Sequence, residues 1–135
     1  MDSSMDKVLT VIVPVYNMEK YIRQCLESLV IGEALDRIEV LVVLDGSAEI
    51  AYEFVEQYPD TFRIIYKANG GHGSAINTGL MMASGEYVKI LDSDDWVERD
   101  AFCRLVDCLE TEGTELARQA GRKIDENCYY VDVES

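Results

Sequence analysis

The chain has 135 residues, enough for one domain built round one sizeable core, and an apolar content of 48% sets it apart from disordered segments. Twelve Lys and Arg against 26 Asp and Glu leave a net charge of −14. That balance excludes a nucleic-acid-binding surface and adhesion to an anionic membrane through this segment, and a diphosphate ligand would need a divalent cation between itself and the carboxylates.

In chain order, residues 1–6 read as a disordered N-terminus, and Lys7–Val15 as a β-branched strand buried on both faces. Asn17 can cap a helix from Met18 to about Val30, in which Ile22, Cys25, Leu26, Leu29 and Val30 recur at helical spacing; Gly32 offers its stop. Ile38–Leu44 is a second strand, and Asp45-Gly46-Ser47 turns the chain into a helix that reaches Tyr58, closed by Pro59. Phe62–Lys67 is a third strand. Asn69–Gly73 is a glycine-rich loop, with Ser74 capping a helix over Ala75–Ala83. Glu86–Leu91 is a fourth strand running into Asp92-Ser93-Asp94-Asp95-Trp96. Ala101–Leu109 is a helix; Glu110–Lys123 is polar, and Cys128–Val133 offers a final strand. The domain is expected over residues 7–112, with 113–135 as a C-terminal extension.

Alternating strands and helices mean right-handed crossovers and a mostly parallel sheet, hence an α/β fold. The longest apolar runs are too short to cross a bilayer, and the N-terminus lacks the basic start and apolar run of a signal peptide. Cys25, Cys103, Cys108 and Cys128 have no C-x-x-C spacing and read as free thiols in a reducing cytosol.

Ligands of open parallel sheets bind beyond the carboxyl ends of the strands. Asp92, Asp94 and Asp95 crowd one such end, and three carboxylates in four residues repel one another unless a cation such as Mg2+ or Mn2+ sits among them. A helix-capping carboxylate with solvated neighbours accounts for the same spacing. Asp45 is either turn punctuation or an acceptor for the ring N–H of a uracil-type base or a ribose hydroxyl. Tyr16 either stacks on that base or packs at a domain edge. His72 reads as a surface or loop-packing residue, and neither a P-loop nor a dinucleotide fingerprint is present.

Together these motifs resemble family 2 inverting glycosyltransferases of the GT-A fold. Val11–Asn17 with Glu19 is similar to the family's opening, and Asp45-Gly46-Ser47 to its D-G-S turn. Asn69–Ala75 with Asn77 and Gly79, then Gly85–Val88, is similar to the segment before the metal motif; Leu91–Asp95 is similar to that D-x-D motif. The resemblance implies a three-layer αβα architecture. It implies that Pro14, Tyr16, Glu19, Asp45, Asn77 and Asp92 line a nucleotide-sugar site, with uracil as the usual base. It also implies that Asp92 and Asp94 hold Mn2+ or Mg2+ against the diphosphate. The implied reaction moves a sugar, with inversion, from a UDP-sugar to a glycan or lipid-linked acceptor in polysaccharide biosynthesis, in the cytoplasm or at the inner face of the membrane.

Three departures stand out. Leu44 precedes Asp45 where the family often has a second aspartate, and Ile76 replaces an arginine before Asn77. The chain ends about forty residues after Asp95, so the fold is expected to be truncated and the catalytic base to lie downstream. The alternative is a non-catalytic nucleotide-binding or interaction module. A truncated sheet leaves apolar surface uncovered, which allows self-association into a homo-oligomer.

Overall fold

The computed structural model describes residues 7–15, 21–44, 49–66, 71–93, 95–119, 123–125 and 128–130. Among the described residues, six strands and four helices follow in the order β1 (Leu9–Val15), α1 (Ile22–Ser28), β2 (Ile38–Leu44), α2 (Glu49–Gln57), β3 (Phe62–Tyr66), α3 (Gly71–Met82), β4 (Tyr87–Ile90), α4 (Arg99–Gln119), β5 (Lys123–Asp125) and β6 (Cys128–Tyr130). A 3-10 segment, Gly32–Arg37, lies between α1 and β2. The sheet order is β3-β2-β1-β4-β6-β5, parallel from β3 to β4 and antiparallel at β6 and β5.

β1 and β2 are buried along their whole length, as their Val, Ile and Leu content requires of central strands covered on both faces. The chain steps outward from β1 to β2 to β3, then crosses back so that β4 pairs with β1. With right-handed crossovers, a reversal of stepping direction puts the next helix on the opposite face. That is where α3 is found. Val11, Val13, Val40 and Val42 pack with Ile22, Leu26, Phe54, Phe102 and Val106 of α1, α2 and α4. Ile12, Val43 and Val88 pack on the other face with Ala75 of α3. The result is the expected three-layer αβα sandwich.

On the first face Phe62 stacks between Phe54 and Tyr58, with ring centroids 5.3 and 5.9 Å apart. Arg37 ties the 3-10 segment to α4 through Asp107 at 2.9 Å and through Glu110. The hydrogen bond to Glu110 is the main cause that raises the Arg37 pKa above its ordinary value, against burial, which lowers it. Cys25, Cys103 and Cys108 are free thiols. On α3, Leu80, Met81 and Met82 are exposed. Among the described residues no helix is long and apolar enough to cross a membrane.

Three helices depart from their sequence-based limits. α1 covers Ile22–Ser28, with Tyr21 in the N-cap position and no side-chain cap bond, where a helix from Met18 to about Val30 was expected. α3 begins at Gly71 instead of Ala75, taking in part of the glycine-rich segment. Glycine lowers helix propensity by roughly 1 kcal/mol, which favours reading a loop there, and docking on the sheet outweighs that cost. α4 runs over Arg99–Gln119 where Ala101–Leu109 was expected. Its start is set by Glu98, whose carboxylate accepts from the N–H groups of Asp100 and Ala101 at 3.3 and 2.8 Å. β5 is a further strand that the sequence does not single out, starting at the last residue of the polar stretch.

Two glycines set how closely α3 and the following turn approach β1. A Cβ on Gly85 would stand 2.7 Å from the Thr10 nitrogen and 2.8 Å from the Leu9 carbonyl carbon, both backbone atoms of β1. The nearest atoms to a Cβ on Gly79 would be those of the Ile12 side chain, at 2.7–3.0 Å. Gly85→Ala is therefore expected to cost about 3 kcal/mol, since a strand must move. Gly79→Ala should cost about 1 kcal/mol, because overpacking outweighs its gain in helix propensity. Urea unfolding of the two variants checks the order. Equal costs would mean that the β1 backbone yields as readily as a side chain.

Candidate functional site

In the strand order, β1 and β4 are the neighbours between which the chain's direction of travel reverses, so the topological switch point lies beyond their carboxyl ends. β1 delivers Pro14, buried beside Val43 in the penultimate pair of the β1–β2 ladder. β4 delivers Asp92. Its pairing continues past Ile90 through the Leu91 N–H, which donates to the Ile12 carbonyl at 2.9 Å. The chain then closes a tight turn in which the Asp95 N–H donates to the Asp92 carbonyl at 3.0 Å. Ser93 is buried under the turn, while Asp92, Asp95 and Trp96 are exposed. Acidic oxygens thus stand in solvent at the switch point, backed by an apolar sheet.

Asp92 and Asp95 supply hard anionic oxygens, the donor type that Mg2+ and Mn2+ take one or two at a time alongside phosphate oxygens and water. Among the described residues no group of three or more His, Cys, Asp or Glu side chains is placed to enclose a metal.

Of the sequence-predicted site residues, the structure brings Pro14 and Asp92 to adjacent strand ends and carries Asn77 exposed on α3. Tyr16, Glu19, Asp45 and Asp94 lie outside the described residues, as do the Asn17 cap and the Asp45-Gly46-Ser47 turn. Two contributors were not singled out from sequence as part of this site. The Cys25 thiol donates to the Asp92 carbonyl at 3.7 Å, and the Ser28 hydroxyl accepts from the Val97 N–H at 3.1 Å. Both come from α1. These contacts join positions 67 and 69 residues apart, so no local sequence signal announces them.

A doubly wound αβα sheet with an acidic turn at its switch point is the architecture of the GT-A glycosyltransferases. The chain belongs to glycosyltransferase family 2: the model for "Glycosyl transferase family 2" matches residues 10–130. It is 46% identical over 99 residues to the glycosyltransferase GlyA of Streptococcus pneumoniae, a match covering 71% of this chain and 14% of that protein. It is 41% identical over 110 residues to the putative glycosyltransferase EpsH of Bacillus subtilis, covering 79% of this chain and 31% of the relative. Among solved structures, S. aureus TarS 1-349 in complex with UDP-GlcNAc superposes with a TM-score of 0.65 at 32% identity, covering 78% of this chain and 32% of TarS 1-349. The mannosyltransferase PcManGT of Pyrobaculum calidifontis, in complex with GDP-Man and Mn2+, superposes at 0.66 with 30% identity, covering 79% of this chain and 33% of PcManGT. The chain thus spans about a third or less of the length of these relatives.

Proposed function

We propose that this chain forms the donor-binding part of a glycosyltransferase that takes a UDP-sugar with a divalent cation and transfers the sugar with inversion. The observation that carries the reading is the turn at the β1/β4 switch point, at which Asp92 and Asp95 are exposed. In this reading Asp92 and Asp94 hold Mn2+ or Mg2+, which offsets the charge that develops on the departing nucleoside diphosphate. Pro14, Tyr16 and Glu19 line the nucleotide side, Asp45 accepts from the base, and Asn77 faces the donor from α3. The acceptor is a glycan or lipid-linked hydroxyl, as in polysaccharide synthesis, and meets the anomeric carbon from the face opposite the leaving diphosphate. Its proton goes to a carboxylate in the part of the relatives that this chain does not match. The assignment works in the cytoplasm, where nucleotide sugars are available.

The solved neighbours support a nucleotide-sugar ligand, with TarS in complex with UDP-GlcNAc and PcManGT with GDP-Man and Mn2+. The preference for uracil rests on the Asp45 reading. Isothermal titration of UDP and of GDP, each with and without Mn2+, tests the proposal. Mn2+-dependent heat with UDP, and at least about tenfold weaker binding of GDP, is expected; that ratio corresponds to about 1.4 kcal/mol. Equal binding of both nucleotides would remove the base assignment to Asp45. Absence of binding in every arm would remove the donor-site assignment and leave the family fold standing.

A further inference from the structure

We propose that Ser28 is a positioning residue for the acidic turn, acting with Cys25 one helical turn earlier on α1; this rests on the assignment of Asp92–Asp95 as the metal and diphosphate turn. Past the sheet, the Asp95 N–H donates to the Asp92 carbonyl and closes the turn. Its two ends are fixed from outside. At the first, the Asp92 carbonyl also accepts the Cys25 thiol. At the second, the Val97 N–H donates to the Ser28 hydroxyl, which in turn donates to the Cys25 carbonyl at 2.7 Å.

A hydroxyl can do both at once, since it carries one donor and two acceptor lone pairs. The bond to the Cys25 carbonyl holds the Ser28 rotor so that a lone pair faces Val97. Both anchors sit on a helix whose inner face, Ile22, Cys25, Leu26 and Leu29, is fully buried, so they cannot drift with the loop. The consequence falls between them. Asp95 and Trp96 are held between these two anchors, and the turn is braced against repulsion among its carboxylates before a cation arrives. Groups that orient metal ligands from behind in this way typically carry about 10- to 100-fold of metal affinity.

The variants Ser28→Thr and Ser28→Val are nearly equal in shape and differ in the hydroxyl, so their comparison isolates it even if Ser28→Ala loosens the helix end. Amide hydrogen exchange and UDP titration with and without Mn2+ are read on the full chain. Ser28→Val and Ser28→Ala are expected to speed exchange at Val97 while leaving Ile12 and Leu91 unchanged. They should also weaken Mn2+-dependent UDP affinity about tenfold, with metal-free affinity as in the parent, and Ser28→Thr should restore both. Metal-dependent binding in the parent that is equally strong in Ser28→Val would overturn the positioning role. Unchanged exchange at Val97 would overturn the anchor itself. If the parent shows no metal-dependent binding, the donor-site reading fails and the functional half of this proposal fails with it, while the exchange data still decide whether Ser28 anchors the turn.

Discussion

Asp94→Ala is expected to abolish metal-dependent nucleotide binding, by at least about 100-fold, while leaving the fold intact. The magnitude follows from the role: losing an outer-shell partner of a metal ligand already costs about 10- to 100-fold, so losing a ligand costs at least the upper end of that range. The unchanged fold follows from electrostatics. Asp92 and Asp95 are exposed, and together with Asp94 they place three like charges within four residues of a chain whose net charge is −14. Without a cation, removing one of those charges relieves repulsion, so thermal unfolding of the metal-free variant should match the parent or rise slightly. Asp92→Asn should keep the backbone bonds of the turn, because it is the Asp92 carbonyl that accepts from Cys25 and Asp95. Chelating the metal from the parent should reproduce the affinity of Asp94→Ala. Nucleotide titration beside a melting curve checks all of this; an Asp94→Ala protein that binds UDP with Mn2+ as tightly as the parent would remove the D-x-D assignment.

The sequence made the sheet legible and left the contacts behind the site obscure, for separate physical reasons. β1 and β2 are continuous apolar runs bounded by polar turns, and a strand buried on both faces can hardly look otherwise; the structure places them at Leu9–Val15 and Ile38–Leu44. The acidic segment stands out in the sequence for the opposite reason, since three carboxylates cluster directly after an apolar strand. The start of α3 was hidden by Gly71 and Gly73, whose propensity points to a loop while the docking of Ala75 and Gly79 on the sheet supports helix. The start of α4 was hidden because its capping side chain, Glu98, is not a type that usually announces a helix. Ser28 is the clearest case. In the sequence it is one hydroxyl at the end of an amphipathic helix, and it gains meaning only when folding brings Val97 to it.

The largest effect on stability is expected from Glu39, a carboxylate buried in the middle of the sheet near its amino end. One oxygen accepts the Thr10 hydroxyl and the Ser84 N–H, each at 2.9 Å; the other faces the Arg63 guanidinium at 3.3 Å. Thr10 in turn accepts the Gly85 N–H at 2.8 Å, so one side chain joins β1, β2 and the turn between α3 and β4. Arg63 is about half exposed and contributes little through charge alone. The neutral donors matter more, above all the buried Thr10 hydroxyl. Glu39→Ala would strand the Thr10 hydroxyl inside the fold, take the acceptor from the Ser84 N–H and open a cavity, for a cost of about 3–5 kcal/mol, a large share of the ~5–15 kcal/mol that holds a domain together. Glu39→Gln can keep its amide oxygen toward Thr10 and Ser84, but its NH2 group then meets the Arg63 donor, for a cost of about 1–2 kcal/mol. Urea unfolding followed by circular dichroism should therefore rank the parent, Gln and Ala in that order. Glu39 pairs with Thr10, five residues before the end of β1, which at roughly 3.3 Å per residue is ~16 Å from the switch point. Under conditions where Glu39→Gln remains folded, its Mn2+-dependent UDP affinity should equal that of the parent. An Ala variant within about 1 kcal/mol of the parent would mean that water reaches these groups and that the network does not lock the fold.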